Sequence, residues 1–458
     1  MFCRFLVFVF IVGLFFSGQV VYGRSPGVDV EATAAVLLEA ESGRVLFGQN
    51  EDRRIYPAGM TKILTALVVL EHLDPDDVLV VGTEIQYVPD GSSMSGHVVG
   101  EHITVHNLLR ALFIMPGNET ANVLAIAVAR ELTGDEDIQY EVAERFFANL
   151  MNQQAVALGA VNSNFTNPHG FHDNNLFTTP MDMALIARAA MENEFIRELA
   201  GEYEWTGDGG GPDAESDWLT RQYTMQTNNL LITPGGPHFY RYATGVRTGR
   251  HSLAGDSLAA AAHRDGIDLI AVISDSTDPG RWRDAVSLFE YGFATFNYAV
   301  IQEAMSIVGE ISVQNPRLQE DDVMEFYMAG PVYGFFSQGD LDNLSVDIFF
   351  MPGLITDDPE PQLLAPIFYG QILGQILFSI GDRVLYEGYI YAARDAYLRS
   401  WQTDFDHYRN HITETMFTRA AIPYWIIAAL SLIIITYIIY RLATRKRGRG
   451  GRGGRGWY

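Results

Sequence analysis

One uncharged apolar stretch near the C-terminus constrains this chain more than any other feature. Residues 422–440 contain no charged side chain, and these 19 residues are enough to cross a bilayer as a helix. Tyrosines and a tryptophan lie at its ends, and seven basic residues follow within residues 441–458. Because basic flanks stay cytoplasmic, the pattern predicts one transmembrane helix, an Arg/Gly-rich cytoplasmic tail, and a chain that is otherwise outside the cell membrane. A buried core helix is the alternative.

The N-terminus has the features of a secretory signal peptide over residues 1–23. Arg4 precedes an apolar run that extends to Phe16, and residues 21–23 place small side chains at the expected cleavage positions. An uncleaved membrane anchor is the alternative. Cys3 is the only cysteine, so cleavage leaves a mature chain without a disulfide or a cysteine metal site.

The 458 residues predict two or three domains, and the periodicity of residues 28–298 predicts one of them. Turn residues between apolar stretches indicate two β-hairpins, over residues 34–49 and 257–274. Helical spacing predicts helices over residues 59–73, 106–114, 118–132, 138–158, 180–200 and 281–296. Strands at both ends with helices between them favour an α/β (α+β) domain, in which helices cover one sheet.

The sequence changes character after residue 300. Short alternating stretches over residues 300–393 predict a small β domain. Residues 395–420 have the pattern of an amphipathic helix next to the membrane.

Lys62 is one of only two lysines in the chain, and the other, Lys446, lies in the basic tail. Arginine supplies nearly all the remaining basic side chains, although a forked guanidinium cannot replace a buried amine. Lys62 therefore indicates a pocket that requires an amine. A serine three residues before a lysine would begin a buried catalytic helix, but residue 59 is glycine.

Five separated segments share an order and spacing with one known family. The chain resembles the serine-type D-alanyl-D-alanine carboxypeptidases, which are low-molecular-mass penicillin-binding proteins, over residues 28–298 and more weakly over 300–395. The segments are Pro57-Ala58-Gly59-Met60-Thr61-Lys62, Gly91-Ser92-Ser93-Met94 followed by Gly100-Glu101, Pro116-Gly117-Asn118-Glu119, Asn167-Pro168-His169-Gly170-Phe171-His172-Asp173, and Gly245-Val246-Arg247-Thr248-Gly249. The resemblance implies a penicillin-binding protein/β-lactamase-like domain with an antiparallel sheet flanked by helices, followed by a small C-terminal β domain.

The resemblance also implies roles for individual positions, and the chain departs from the family at three of them. Gly59 stands at the nucleophile position, Pro116 replaces the serine of the second motif, and Arg247 replaces the lysine of the third. Lys62 keeps the general-base position and Asn118 keeps the amide of the second motif. Loss of the nucleophile costs about a million-fold in turnover, which predicts an inactive enzyme.

The third motif implies a binding site for the carboxylate of the substrate. Arg247 retains a positive charge with a planar fork, and Thr248 and Gly249 complete the motif. The resemblance thus implies that the pocket binds peptidoglycan stem peptides that end in D-Ala-D-Ala without cutting them. A relic pocket that binds no ligand is the alternative.

The net charge argues against a nucleic-acid partner, and the histidines do not indicate a metal site. The formal net charge is −25, and removal of Arg4 and the tail leaves about −33 for the outer part, so we predict no nucleic-acid partner. His169 and His172 could suggest a metal pair, but no third ligand accompanies them. We predict no metal and no cofactor.

Three functions compete. The first is a membrane-anchored pseudoenzyme that binds stem peptides or scaffolds cell-wall machinery. The second is a carboxypeptidase with residual activity that trims peptidoglycan. The third is a transmembrane receptor for the cell wall whose tail reports outside events. The protein partner and the oligomeric state are not determined by the sequence.

Overall fold

The computed structural model describes residues 28–447, apart from 212–213, 216, 253–254, 318–319, 357–359 and 417–421. The predicted signal peptide and tail residues 448–458 lie outside the described residues. Two compact units make up the chain. The first extends to Ala299 and includes Phe335–Gln338, and the second comprises Val300–Gly334 and the residues from Gly339 onward. The domain limits given above stay predictions.

The first unit combines short and long strands with helices. Its strands are β1 Ala34–Glu39, β2 Val45–Gln49, β3 Val78–Val80, β4 His102–Thr104, β5 Glu204–Asp208, β6 Gln222–Gln226, β7 Ala243–His251, β8 Gly255–Arg264 and β9 Ile267–Ser276. Its helices are α1 Thr61–Leu70, α2 Val105–Ile114, α3 Asn118–Thr133, α4 Tyr140–Ala157, α5 Pro180–Glu192, α6 Glu194–Gly201 and α7 Asp278–Thr295. Two 3-10 turns lie at Ala58–Met60 and Thr83–Gln86.

An antiparallel sheet of five strands, in the order β2-β1-β9-β8-β7, separates two cores. Successive side chains of a strand point to opposite faces, so β1 supplies both cores. Val36 and Leu38 pack with helices α1, α2, α3 and α5, whereas Ala35 and Leu37 pack with α7. The strand is buried along its whole length, as expected for a sheet that is covered on both faces. The predicted fold class is confirmed.

Both predicted hairpins are present. Strands β1 and β2 pair antiparallel, and β8 and β9 pair antiparallel through Asp265 and Gly266, which both adopt positive φ angles (53° and 80°). Two consecutive positive φ angles are the geometry of the tight turn that Asp-Gly favours. The local sequence therefore accounts for the connection between β8 and β9.

The predicted helices occur, with two corrections. The predicted helix over residues 180–200 is wrong as one element, because it breaks into α5 and α6 at Asn193. The Asn193 side chain accepts a hydrogen bond from the Ile196 N–H at 3.1 Å and caps the second helix. The predicted start at residue 59 is also wrong, because Gly59 lies in a 3-10 turn and α1 begins at Thr61.

The second unit is mainly β. It contributes β10 Phe296–Gln302, β11 Ile307–Gln314, β12 Val323–Met328, β13 Val332–Ser337, α8 Gln338–Asp342, β14 Leu344–Phe350, β15 Leu363–Leu364, β16 Ile372–Ile380 and β17 Arg383–Ala392, where the unit boundaries fall within β10, β13 and α8. Six strands form a sheet in the order β14-β16-β17-β12-β11-β15, with a core that includes Met324, Ile376 and Ile390. The predicted β character of residues 300–393 is confirmed.

Two helices follow the second sheet, α9 Trp401–Met416 and α10 Ile422–Arg447. The predicted helix over residues 395–420 starts too early, because Ala396 and Leu398 instead form β-bridges with Ile367 and Pro316. Within α10, Ile422–Leu442 has a mean hydropathy of 2.3 and is long enough to span a bilayer. By its length and composition this segment is a candidate membrane span.

Candidate functional site

A cavity of about 390 Å³ in the first unit brings the predicted site residues together. The 3-10 turn and α1 supply Gly59 and Lys62, the start of α3 supplies Asn118, and β7 supplies Arg247 and Thr248. Pro116, from the link between α2 and α3, also lines it. Segments that are distant in sequence thus converge on one cavity. Of the predicted residues only Gly249 is missing from the described lining, because it packs against the 3-10 turn.

Lys62 lies at the base of this cavity on a helix that is buried on almost every side. Its side chain is 2% exposed, and Nζ donates hydrogen bonds to the Pro116 carbonyl at 2.9 Å and to Asn118 Oδ1 at 2.7 Å. The Asn118 amide in turn donates to Ser92 Oγ at 3.1 Å. Pro116 and Asn118 therefore fix the amine from two directions.

Burial holds the pKa of the Lys62 amine well below its usual value, and the Arg247 guanidinium lowers this pKa further. Glu119 opposes the shift, but its Oε1 already accepts hydrogen bonds from the N–H groups of Ser95 and Gly96. Burial also lowers the pKa of His169 to about 3, with a smaller contribution from Lys62. Burial in the cavity therefore disfavours the protonated forms of Lys62 and His169.

Gly59 occupies a position that leaves no room for a side chain. A Cβ added there would lie 2.7 Å from the Thr248 carbonyl oxygen, closer than real Cβ contacts. Gly249 makes the reciprocal approach, since its added Cβ would lie 2.8 Å from the Pro57 carbonyl oxygen. The two glycines allow the 3-10 turn to pack directly on the main chain of β7. Close contact between two backbones thus occupies the space that a side chain at residue 59 would need.

Arg247 is 2% exposed, and main-chain oxygens already accept hydrogen bonds from its guanidinium. One terminal nitrogen donates to the Phe113 carbonyl, and the other donates to the Met115 carbonyl at 2.7 Å. Burial lowers its pKa to about 10. The side chain ties β7 to the end of α2. Recognition of a substrate carboxylate by the Arg247 guanidinium stays a prediction.

Thr248, the next residue of the third motif, is also engaged within the protein. Its hydroxyl donates to Asn228 Oδ1 at 2.8 Å. Both side chains of the motif that face the cavity therefore have partners before any ligand binds.

Sequence reasoning missed Arg250 and Arg281, which line the same cavity. Arg250 side-chain atoms are 78% exposed, and Nε lies 3.5 Å from Asp256. Arg281 comes from the first turn of α7 and pairs with Asp278 at 2.5 Å. Neither residue belongs to a recognisable motif, so only the fold brings them here. With Lys62 and Arg247 they give four basic side chains, and no carboxylate occurs among the described lining residues.

The two histidines of the predicted loop have separate positions. His169 lines the cavity, and its Nδ1 accepts a hydrogen bond from the Phe171 N–H at 3.0 Å. The His172 ring instead stacks on His251 at a centroid distance of 4.6 Å, and its edge meets Tyr56. Loop 167–173 is thereby held against the end of β7.

The D-alanyl-D-alanine carboxypeptidase family (peptidase S11) has a sequence model that matches residues 21–278, more than half of the chain. The chain belongs to this family. The D-alanyl-D-alanine carboxypeptidase DacF of Bacillus subtilis is 26% identical over 378 residues, which cover 81% of this chain and 87% of DacF. DacC of Escherichia coli is 27% identical over 389 residues, with 82% and 86% covered.

Solved structures show the same fold. Penicillin binding protein 5 from Haemophilus influenzae superposes with a TM-score of 0.57 at 22% identity, over 82% of this chain and all of that one. The D-alanyl-D-alanine carboxypeptidase DacD from Francisella tularensis gives a TM-score of 0.60 at 22% identity, over 82% and 96%. The structural similarity extends beyond the first unit. The match to the family model confirms the family resemblance inferred from the five segments.

Proposed function

We propose that this protein binds the D-Ala-D-Ala ends of peptidoglycan stem peptides without cleaving them. The observation that carries this proposal is the Thr248 carbonyl oxygen, which would lie only 2.7 Å from a Cβ at residue 59. Covalent catalysis in a serine peptidase requires a hydroxyl at that position. Relatives named as D-alanyl-D-alanine carboxypeptidases supply the class of ligand.

The charge of the cavity supports an anionic ligand. The chain as a whole has a formal net charge of −25, yet the described cavity lining contains three arginines, Arg247, Arg250 and Arg281, and no acidic side chain. Such a concentration of positive charge within an acidic protein attracts a carboxylate through the field of the whole site. Arg250 is the exposed member, so it is the first cation that an entering peptide would meet.

Titration of the full-length protein with a stem peptide that ends in D-Ala-D-Ala tests this proposal. Few anchors and no covalent step predict weak binding, near the millimolar level of about −4 kcal/mol. The same peptide with an L-Ala terminus should bind measurably more weakly. Arg250→Gln should weaken binding, whereas Arg283→Gln, which removes an exposed arginine paired with Glu31, should not. Equal binding of both peptides, or none, would identify the cavity as a relic.

Residual carboxypeptidase activity is the second candidate, and the Ser92 hydroxyl favours it. Ser92 Oγ lines the cavity, and Asn118 connects it by hydrogen bonds to the Lys62 amine. A hydroxyl near an amine of lowered pKa is the arrangement of an activated nucleophile. Release of D-alanine that disappears in Ser92→Ala would establish this function. Activity that survives in Ser92→Ala would exclude that hydroxyl as its nucleophile.

We further propose that α10 anchors the protein in the cell membrane with the bulk of the chain outside. The support is the apolar span Ile422–Leu442 and the basic residues that follow it. Protease added to intact spheroplasts should then digest residues 24–421 and leave residues 441–458 protected. Cleavage of the tail under these conditions would reverse the proposed orientation.

A further inference from the structure

The hydrogen bonds of Lys62 match those of an unprotonated amine. A charged ammonium has three N–H donors, whereas a neutral amine has two donors and one lone pair. Nζ has two described acceptors, the Pro116 carbonyl and Asn118 Oδ1. No carboxylate occurs among the described residues that line the cavity. A neutral amine therefore uses both of its N–H donors in these two hydrogen bonds and keeps its lone pair for a molecule in the cavity.

Two further properties make this amine a nucleophile. Burial and the Arg247 guanidinium lower the pKa of the Lys62 amine, and each unit of decrease raises its unprotonated fraction at neutral pH about tenfold. In addition, residue 59 has no hydroxyl that could react first with an electrophile. A desolvated lysine beside another cation is an established way to activate an amine towards carbonyl compounds.

We propose that Lys62 forms a Schiff base with small carbonyl compounds that carry a carboxylate, such as α-keto acids. The cavity of about 390 Å³ admits such a molecule, and the basic side chains of Arg250 and Arg281 line the same space. These two cations would bind the carboxylate while the carbonyl carbon approaches Nζ. This inference does not depend on recognition of a stem peptide.

The reaction needs no oxidant, reductant or metal. The Nζ lone pair forms a bond to the carbonyl carbon, and the carbonyl π electrons move to oxygen. A proton passes from nitrogen to that oxygen, which gives a carbinolamine. Loss of this hydroxyl group as water, with the remaining amine proton, leaves the C=N bond of the imine. Hydrolysis reverses each step, so the adduct is a reversible modification unless it is reduced.

The scarcity of lysine makes the test direct. The detergent-solubilised full-length protein is incubated at neutral pH with pyruvate and cyanoborohydride, which reduces imines to stable amines, and the modified peptides are identified by mass spectrometry. Lys62 and Lys446 are the only lysines, so Lys446 provides an internal comparison in the same sample. We expect Lys62 to be labelled several-fold faster than Lys446, because the lowered pKa of its buried amine leaves a larger unprotonated fraction at neutral pH.

Two comparisons test whether Lys62 reacts preferentially with carbonyl compounds that carry a carboxylate. Acetone, which lacks the carboxylate, should label Lys62 more slowly than pyruvate does. Arg250→Gln should slow labelling by pyruvate but not by acetone, and Arg283→Gln should change neither. Labelling of Lys62 no faster than Lys446 overturns the reactive amine, and equal labelling by acetone and pyruvate overturns the carboxylate preference. Peptide titration is a separate measurement, so failure of either proposal leaves the other intact.

Discussion

Restoring a serine at residue 59 should destabilise the protein without restoring catalysis. The added Cβ would lie 2.7 Å from the Thr248 carbonyl oxygen. That carbonyl belongs to β7, which pairs with β8 along its length, so neither backbone can move alone. The 3-10 turn is confined on its other side as well, because the Ala58 carbonyl oxygen lies against Gly170.

The size of the effect follows from two opposing influences on stability. Overpacking of a closed site costs typically about 1–3 kcal/mol. Replacing glycine also restricts the unfolded chain, which stabilises the folded state by about 0.4–1 kcal/mol. The clash outweighs the restriction of the unfolded chain, so we expect a net loss of about 1–2 kcal/mol and a decrease in melting temperature of a few degrees.

Scanning calorimetry of Gly59→Ser measures this loss, and Gly201→Ser is the matched control. A Cβ at Gly201 would also face a carbonyl of β7, that of Thr244, but at 3.3 Å. The control should therefore lose less stability. Intact-mass spectrometry with penicillin provides the second readout, and no acyl adduct is expected. A Gly59→Ser protein that is as stable as wild type and is acylated would refute the inference that backbone contact has closed the nucleophile position.

Three further predictions concern the same site. The wild-type protein should form no acyl adduct with penicillins, because residue 59 has no hydroxyl, and a stoichiometric adduct in intact-mass spectrometry would contradict this. Arg247→Ala should lower the unfolding free energy by about 2–4 kcal/mol, because the buried carbonyl of Phe113 and the part-buried carbonyl of Met115 each lose a charged donor. Thermal unfolding measures this loss. The folded pKa of Lys62 lies below its unfolded value, so the unfolded state binds more protons between the two values and stability rises with pH there. Chemical unfolding from neutral to mildly alkaline pH should show this rise in wild type and a smaller one in Lys62→Met.

Local sequence patterns predicted the elements of the fold because their causes are local. Asp265 and Gly266 can adopt the positive φ angles of a tight turn whatever surrounds them. Helix α1 is apolar on nearly every side, which indicates a buried helix before its neighbours are known. The break at Asn193 was missed because the apolar spacing continues across it, while the cap acts through one side-chain hydrogen bond.

The sequence predicted which motif residues meet in the candidate site, but not the hydrogen bonds that they make there. Motif order placed Lys62, Asn118 and Arg247 together, whereas nothing in the sequence shows that Arg247 donates to the carbonyls that end α2. Arg281 lies more than thirty residues after the third motif and reaches the cavity only because α7 begins beside β7. Side-chain partners at such separations are set by tertiary packing, which has no periodic signature.

The three positions at which we predict departures from the family motifs, residues 59, 116 and 247, form one connected structure. Arg247 donates to Phe113 and Met115 just before Pro116, and the Pro116 carbonyl accepts from Lys62. The segment between α2 and α3 is thus held from both sides, while the residue after Arg247 supplies the carbonyl that closes on residue 59.

Because these residues are connected, we expect the effects of mutations at residues 59 and 247 on the unfolding free energy to be non-additive. Lysine at residue 247 has one ammonium and cannot reproduce the fork that binds two carbonyls, so Arg247→Lys should loosen β7 next to Thr248. In that background Gly59→Ser should cost less than it does alone. A double-mutant cycle of unfolding free energies should give a coupling between about 0.5 and 3 kcal/mol, the range for residues that share a contact network. Additivity within about 0.5 kcal/mol would mean that residues 59 and 247 are energetically independent, and the inference that they form one connected structure would then fail.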